Sequence, residues 1–294
     1  NVQLYGGFAG TETTLTARDL SITTNTSILS GDIGTLNDIS DNTYHVVISS
    51  GGLGSALLNG FKVTAGNASG SSSIQVNNSI IYISSGGGIY NNNSSPSLTN
   101  VTITRNTASN GGGIYNWSSS PSLTNVAITG NTAASFGGGI INQFNSSPSL
   151  TNVAITGNTA ASFGGGIINQ FNSSPSLTNV AITENTASNG GGIYNNTSSP
   201  SFTDVAITDN TANNDGGGIY NYDNSSPSFT NVAITGNTAV YNGGGIYNWS
   251  SSPSFTNVAI TENTASGGDG GGIYNYDNSS PSLTNTTVVG AIYN

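Results

Sequence analysis

The sequence predicts an all-β fold: a parallel β-helix solenoid with about 26 residues and three short strands per coil. Three observations predict it. Gly-Gly-Gly-Ile-(Tyr/Ile)-Asn recurs with its third glycine at Gly88, Gly113, Gly139, Gly166, Gly192, Gly218, Gly245 and Gly272, at spacings of 25, 26, 27, 26, 26, 27 and 27. All eight prolines, from Pro96 to Pro281, hold one phase of that repeat, in Ser-Pro-Ser-(Leu/Phe). Between these marks the apolar residues come in short runs of period two, rich in β-branched side chains and with no 3.6 period.

Residues 1–85 come first and are the least regular. Ser27-Ile28-Leu29-Ser30-Gly31, Tyr44-His45-Val46-Val47-Ile48 and Leu57-Leu58-Asn59-Gly60-Phe61-Lys62-Val63 read as strands. The stretch holds 5 of the 13 acids, two of the three cations and the one histidine. It reads as degenerate, cap-like coils, because terminal repeats must cover an otherwise open core. Residues 86–294 are the regular repeats, and the two regions form one continuous solenoid domain.

Within a repeat, Leu98 lies between Ser97 and Thr99, Val101-Thr102-Ile103-Thr104 alternates, and Gly88-Ile89-Tyr90 supplies the third run. Leu98, Val101, Ile103 and Ile89 are expected to point inward and stack into columns from coil to coil. Each proline lies 10 residues before the Asn of Asn-Thr-Ala in all seven complete copies, which marks hydrogen-bonded register. The distance from that Asn to the third glycine varies from 7 to 9, which marks a loop. Residues 122–148 and 149–175 are identical, the sign of a recent tandem duplication. Dividing 294 residues by the repeat gives about 11 coils and a rod roughly 50 Å long.

Asparagines recur at three phases: Asn91, Asn116 and Asn142 after the Tyr/Ile position; Asn100, Asn125 and Asn152 after Leu-Thr; and Asn106, Asn131, Asn158, Asn185, Asn210, Asn237 and Asn263 before Thr-Ala. Asn tolerates left-handed backbone at turns. Amides in register can also bond from coil to coil as a ladder, and the Asn106 series is the expected structural ladder.

Composition removes several classes of function. With no Cys there is no disulfide scaffold and no thiolate zinc site. Three scattered cations, Arg18, Lys62 and Arg105, against 13 acids exclude nucleic-acid binding by phosphate neutralisation. No apolar run reaches the ~18 residues of a membrane helix, so no membrane insertion is expected in this segment. Asn1, with neither initiator Met nor apolar leader, reads as the start of a processed or excised segment.

The combination of Gly-Gly-Gly-Ile-Tyr-Asn with Ser-Pro-Ser-Leu-Thr-Asn-Val-x-Ile-Thr-x-Asn-Thr-Ala resembles the repeats of secreted bacterial right-handed β-helix proteins of the pectate-lyase-like superfamily. It is similar to the Gly-Gly-x-Ile and x-x-x-Asn repeats of polymorphic outer-membrane proteins. Tyr5-Gly6-Gly7-Phe8-Ala9-Gly10-Thr11-Glu12, Ile28-Leu29-Ser30-Gly31-Asp32 and Asp41-Asn42-Thr43-Tyr44-His45-Val46-Val47 resemble the start of large surface proteins of that type. The resemblance covers essentially the whole chain. It implies a right-handed parallel β-helix solenoid and a secreted or cell-surface protein of the kind called an adhesin.

The superfamily also contains polysaccharide-cleaving enzymes, so catalysis needs weighing. A lyase of this type needs clustered carboxylates for Ca²⁺ and a basic residue, and a glycosidase needs carboxylates on one face at set distances. The acids of the repeats are Glu184, Asp204, Asp209, Asp215, Asp223, Glu262, Asp269 and Asp277, with no Lys or Arg among them. Asp215 and Asp269, like Asp223 and Asp277, stand two coils apart, about 10 Å along the axis. Asp204, Asp209, Asp215 and Asp223 occupy different phases of a coil, so most are expected to face different sides. His45 lacks partners and reads as a packed histidine of a cap coil. Gly-Gly-Gly is followed by no Lys-Ser/Thr and no helix, so it reads as close backbone approach rather than a phosphate cradle. No catalytic residue, metal site or cofactor is expected, beyond weak Ca²⁺ binding by acidic loops.

Function then rests on surface. If Ile89 points inward, alternation turns Tyr90, Tyr115, Tyr194, Tyr220, Tyr247 and Tyr274 outward, with Ile141 and Ile168 in the same row. A second row follows the turn asparagine: Trp117, Phe144, Phe171, Tyr222, Trp249 and Tyr276. These rings either stack on the next coil or form an exposed stripe that meets sugar or a neighbouring protein. An ice-binding Thr face is disfavoured because Ala replaces Thr102 in later coils. The strand motif of residues 286–294 suggests an open coil edge that could meet the first coils of another copy and build a filament. The expected function is a non-catalytic extracellular structural or adhesive β-helix, with itself or a cell-surface glycan as partner. The alternative is a β-helix that binds or cleaves polysaccharide.

Overall fold

A computed structural model of the chain describes residues 2–52 and 56–294. The regular coils pass through three parallel sheets, of 17, 8 and 10 strands. One coil shows the pattern. Ser97–Thr99 and Thr102–Thr104 lie in the largest sheet, Thr107–Asn110 in the smallest, and Ile114–Trp117 in the third. We refer to these as the long, alanine and tyrosine sheets.

The expected strands are present, but they are distributed differently. Two of them share the long sheet, joined through Asn100 at φ 52°. The alanine sheet comes from Thr-Ala, which the sequence presents as part of a turn; two or three residues are too few to show a period. Left-handed residues also mark the corner after the long sheet, where Arg105 has φ 55° and Glu184 φ 57°.

Register in the long sheet is uniform. Leu123 pairs with Leu150, Val126 with Val153 and Ile128 with Ile155, and the same pairing links Leu150, Val153 and Ile155 to Leu177, Val180 and Ile182. Leu98, Val101, Ile103 and Ile89 point inward, as expected, and are buried with their equivalents in one continuous core. Phe202, Phe229 and Phe255 take the Leu98 position in later coils and stack with centroids 4.7 and 4.9 Å apart. That spacing is the rung separation of a sheet.

The middle glycine of each triplet has a steric reason. A Cβ on Gly138 would lie 2.5 Å from the Gly165 oxygen and 2.6 Å from the Thr159 oxygen. The coil corner therefore brings backbone against backbone, and no side chain fits.

The tyrosine sheet has ten strands, so ten rungs replace the expected 11 coils and the rod is roughly 45 Å long. The difference lies in residues 1–85. Gln3 pairs with Leu57 and Leu57 with Ser97, so the first two steps take 54 and 40 residues. Much of the excess is loop, and part is an antiparallel hairpin, Ser73–Val76 with Ser79–Tyr82. This hairpin packs Ile81 against Tyr90 on the outside of the tyrosine sheet. At the other end, the rung Ser282–Thr284, Thr287–Val288 and Ile292–Tyr293 keeps the register of the coils before it.

Candidate functional site

The tyrosine row does face away from the main core, but it is not a contact surface. Tyr90, Tyr115, Tyr194, Tyr220 and Tyr247 are 0, 5, 8, 7 and 6% exposed. The exposed-stripe reading fails for these five. The first glycine of each triplet runs beside the ring: a Cβ on Gly111 would sit 3.1 Å from the Tyr115 Cβ. The rings also stack from coil to coil, with centroids 4.6 Å apart for Tyr220–Tyr247, 5.0 Å for Tyr247–Tyr274 and 4.5 Å for Tyr274–Tyr293. Where the row carries Ile168, Phe163 fills the space and meets Tyr194 at 4.6 Å. The result is a second apolar spine parallel to the core. Burial pushes the hydroxyls of Tyr90, Tyr115, Tyr194, Tyr220 and Tyr247 well above the ordinary tyrosine range, so they stay neutral. The Tyr115 hydroxyl is tied down by donating to Gln143 Oε1 at 2.7 Å.

What remains on the surface is the second row. Trp117, Tyr222 and Trp249 are half-buried, and Tyr276 is 47% exposed. Tyr82 of the hairpin, Trp117, Phe144 and Phe171 form one continuous track, with centroids 6.0, 4.3 and 4.9 Å apart. Tyr222, Trp249 and Tyr276 form a second track, at 5.4 and 5.1 Å. Asn196 and Thr197 occupy the coil between them.

These rings stand on a frame of side-chain ladders. All three asparagine phases bond from coil to coil. Asn131 Oδ1 accepts from both Asn106 N and Asn106 Nδ2, at 3.1 and 3.0 Å. Asn131 Nδ2 donates to Asn158 Oδ1 and to the Ile103 oxygen, both at 3.0 Å. Every donor and acceptor of this buried amide is thus used. Asn158, Asn185, Asn210 and Asn237 repeat the pattern as far as Asn263. The Asn91 phase makes a second buried ladder and the Asn100 phase an exposed one. Two serine ladders accompany them and run in opposite directions: Ser119 N donates to Ser146 Oγ, while Ser147 N donates to Ser120 Oγ. The invariant Ser-Ser before each proline carried that signal, and the sequence reading passed over it.

A family model, the right handed beta helix region, matches residues 124–258. A second, the Chlamydia polymorphic membrane protein repeat, matches residues 100–116. The fold is a parallel β-helix, and residues 124–258 and 100–116 are similar to these two families. These matches point to an adhesin-like protein of the outer membrane or cell surface. No curated protein and no solved structure matches the chain. Among the described residues, no helix is long and apolar enough to cross a membrane.

Two carboxylates of the β-helix, Asp215 and Asp204, are bonded into its ladders. Asn242 bridges Asp215 and Asp269: Asp215 Oδ1 accepts from Asn242 N and Nδ2, at 2.9 and 3.0 Å, and Asp269 N donates to Asn242 Oδ1 at 3.1 Å. Asp204 Oδ1 accepts from Asn231 Nδ2 at 3.0 Å, taking an asparagine's place in the exposed ladder. Asp204, Asp209, Asp215 and Asp223 occupy different phases of the coil, as expected. Glu184, Asp209 and Glu262 share the left-handed corner with Arg105, Gly130, Gly157 and Gly236. Among the described residues no three His, Asp or Glu side chains are grouped to hold a metal ion.

His45 lies under the first coils. Its Nδ1 pairs with the Gly86 oxygen at 3.0 Å, and its ring meets Tyr90 edge-on at 5.5 Å. Nε2 is buried with no protein partner. Burial holds its pKa below the ordinary histidine value, against the raising effect of the Gly86 carbonyl.

Proposed function

We propose that the chain is a non-catalytic extracellular rod that holds an aromatic edge for adhesion at the cell surface. The half-exposed rings of the second row carry the reading. They recur along one edge, on a frame whose ladders fix each coil against the next. Carboxylates committed to backbone and amide partners, such as Asp215, support a structural role for the acids. No cofactor enters the proposal. The partners we propose are a cell-surface glycan at the rings and a second copy at the strand edges.

Beads coated with the chain test the reading on cell monolayers and on bacterial matrix. Retention several-fold above albumin-coated beads is expected, and retention equal to albumin removes the adhesive role. The free chain, sedimented alongside over a concentration series, is expected to grow in mass. A single species throughout removes the self-partner.

A further inference from the structure

We propose that Tyr222, Trp249 and Tyr276, with the polar groove on the turns that follow them, bind a neutral glycan chain laid along the rod axis. The proposal rests on the adhesive reading and names its site and ligand class.

Ring orientation distinguishes this track: of the two, only here are successive rings near perpendicular, whereas Trp117 in the other track is tilted by 46° and 45° to its neighbours. In a parallel stack each ring spends its faces on its neighbours and leaves only edges to solvent. Phe144 and Phe171 are such a pair, 13° from parallel. Tyr247 and Tyr274 are another, at 15°. Trp249 instead stands at 76° to Tyr222 and 80° to Tyr276. In a row of perpendicular rings, whichever ring offers its edges to its neighbours must turn its faces sideways. A sugar presents an apolar C–H face and a rim of hydroxyls. It therefore needs an uncovered aromatic face with hydrogen-bonding groups next to it.

The rim groups are present. Asn224, Ser226, Ser250, Ser252, Asp277 and Asn278 line a groove on the turns that directly follow the strands ending in Tyr222, Trp249 and Tyr276. Several are already held in place. Ser250 Oγ donates to Asp277 Oδ2 at 2.6 Å, and Asn224 Nδ2 donates to Asp223 Oδ1 at 3.1 Å. Serine hydroxyls, amides and carboxylate oxygens together offer donors and acceptors to a line of hydroxyls.

Charge and length narrow the ligand. The exposed carboxylates Asp223 and Asp277 flank the rings, and the whole chain carries −10. An anionic polysaccharide would be repelled at both scales. Three rings across two coil steps span about 10 Å along the axis, long enough to engage consecutive sugar rings. A chain running along the axis therefore meets one aromatic per coil.

The chain has two tryptophans, so indole fluorescence reads the site directly once Trp117→Phe silences the other. In that background, cellohexaose, mannohexaose and chitohexaose are titrated, with hexagalacturonate as the anionic probe. At least one neutral hexasaccharide is expected to give a saturable change, and hexagalacturonate none. In the otherwise wild-type chain, Trp249→Ala should weaken that sugar at least tenfold by calorimetry. The exposed Tyr276→Ala, which leaves the spine intact, should weaken it several-fold. The proposal is overturned if all neutral probes fail, if hexagalacturonate binds best, or if Tyr276→Ala and Trp249→Ala bind unchanged. Bead retention separates the two readings. Silent neutral sugars with retained beads remove this site alone, and lost retention removes the adhesive role itself.

Discussion

A buried asparagine is costly unless its whole amide is engaged, and that condition sets what each ladder residue contributes. Asn158 is fully buried. Its Oδ1 accepts from Asn131 N and Nδ2, and its Nδ2 donates to Asn185 Oδ1 and the Ile128 oxygen. Asn158→Ala strands the Asn131 donors in the interior and takes the side-chain bond from the Ile128 oxygen. At about 1–3 kcal/mol for an unsatisfied buried group, a loss of roughly 2–5 kcal/mol is expected. Asn152 is exposed, with φ 55°, and its ladder bonds face water. Asn152→Gly keeps the left-handed corner and should cost less than about 1 kcal/mol. Urea denaturation of both variants checks the contrast, and equal midpoints would show that the buried ladder adds nothing. The sequence showed both positions as recurring asparagines at separate phases. It could not show which was buried, because Asn serves equally as a left-handed corner and as an interior amide. The same ambiguity hid the tyrosines. Period two correctly turned Tyr115 away from Ile114, but a period carries no information about a glycine loop folding back over the ring.

At the scale of the element, the hairpin Ser73–Val76 with Ser79–Tyr82 is the one antiparallel unit among the described residues, and it covers the start of the tyrosine spine. Its segment Ser73-Ile74-Gln75-Val76-Asn77-Asn78-Ser79-Ile80-Ile81-Tyr82 has the alternation and the Asn-Asn turn of a hairpin, yet it was read only as part of the degenerate coils. His45 lies in the same region, with Nδ1 on the Gly86 oxygen and its ring against Tyr90. The folded ring holds a proton less readily than the unfolded one, whose pKa is about 6.5. As pH falls through that value, the unfolded state gains a proton that the folded state refuses. Stability is thus intact above ~6.5 and declines below it, until the lowered folded pKa is reached. As the one histidine, its ring protons are resolved by NMR without assignment. Their titration midpoint should lie below the unfolded value while the fold persists. A midpoint at the unfolded value would mean that the ring is solvated and contributes no pH dependence.

The whole molecule is one-dimensional: each coil meets only the coil before it and the coil after it. Stability should then add as coil and interface terms, and removing one complete coil should shorten the rod without changing its architecture. Residues 122–148 and 149–175 are identical, which permits a clean trial. Deleting 149–175 joins Pro148 to Ser176, and the new junction reproduces one already present, because Ser149 and Ser176 open equivalent strands in register. Leu123 would stand against Leu177 and Asn131 against Asn185, so the core column and the buried ladder remain unbroken. The rod should lose one rung, about 5 Å by small-angle scattering, and keep its strand signal by circular dichroism. Its denaturant sensitivity should fall in proportion to the surface removed. Deleting 149–161 instead brings Pro148 directly before Ser162 and omits the long-sheet strand of that coil. It also removes Asn158, so the ladder is cut between Asn131 and Asn185. That variant should lose cooperative unfolding although it keeps more of the chain. If the two deletions behave alike, the coil is not the unit of stability, and the additive picture of the rod is wrong.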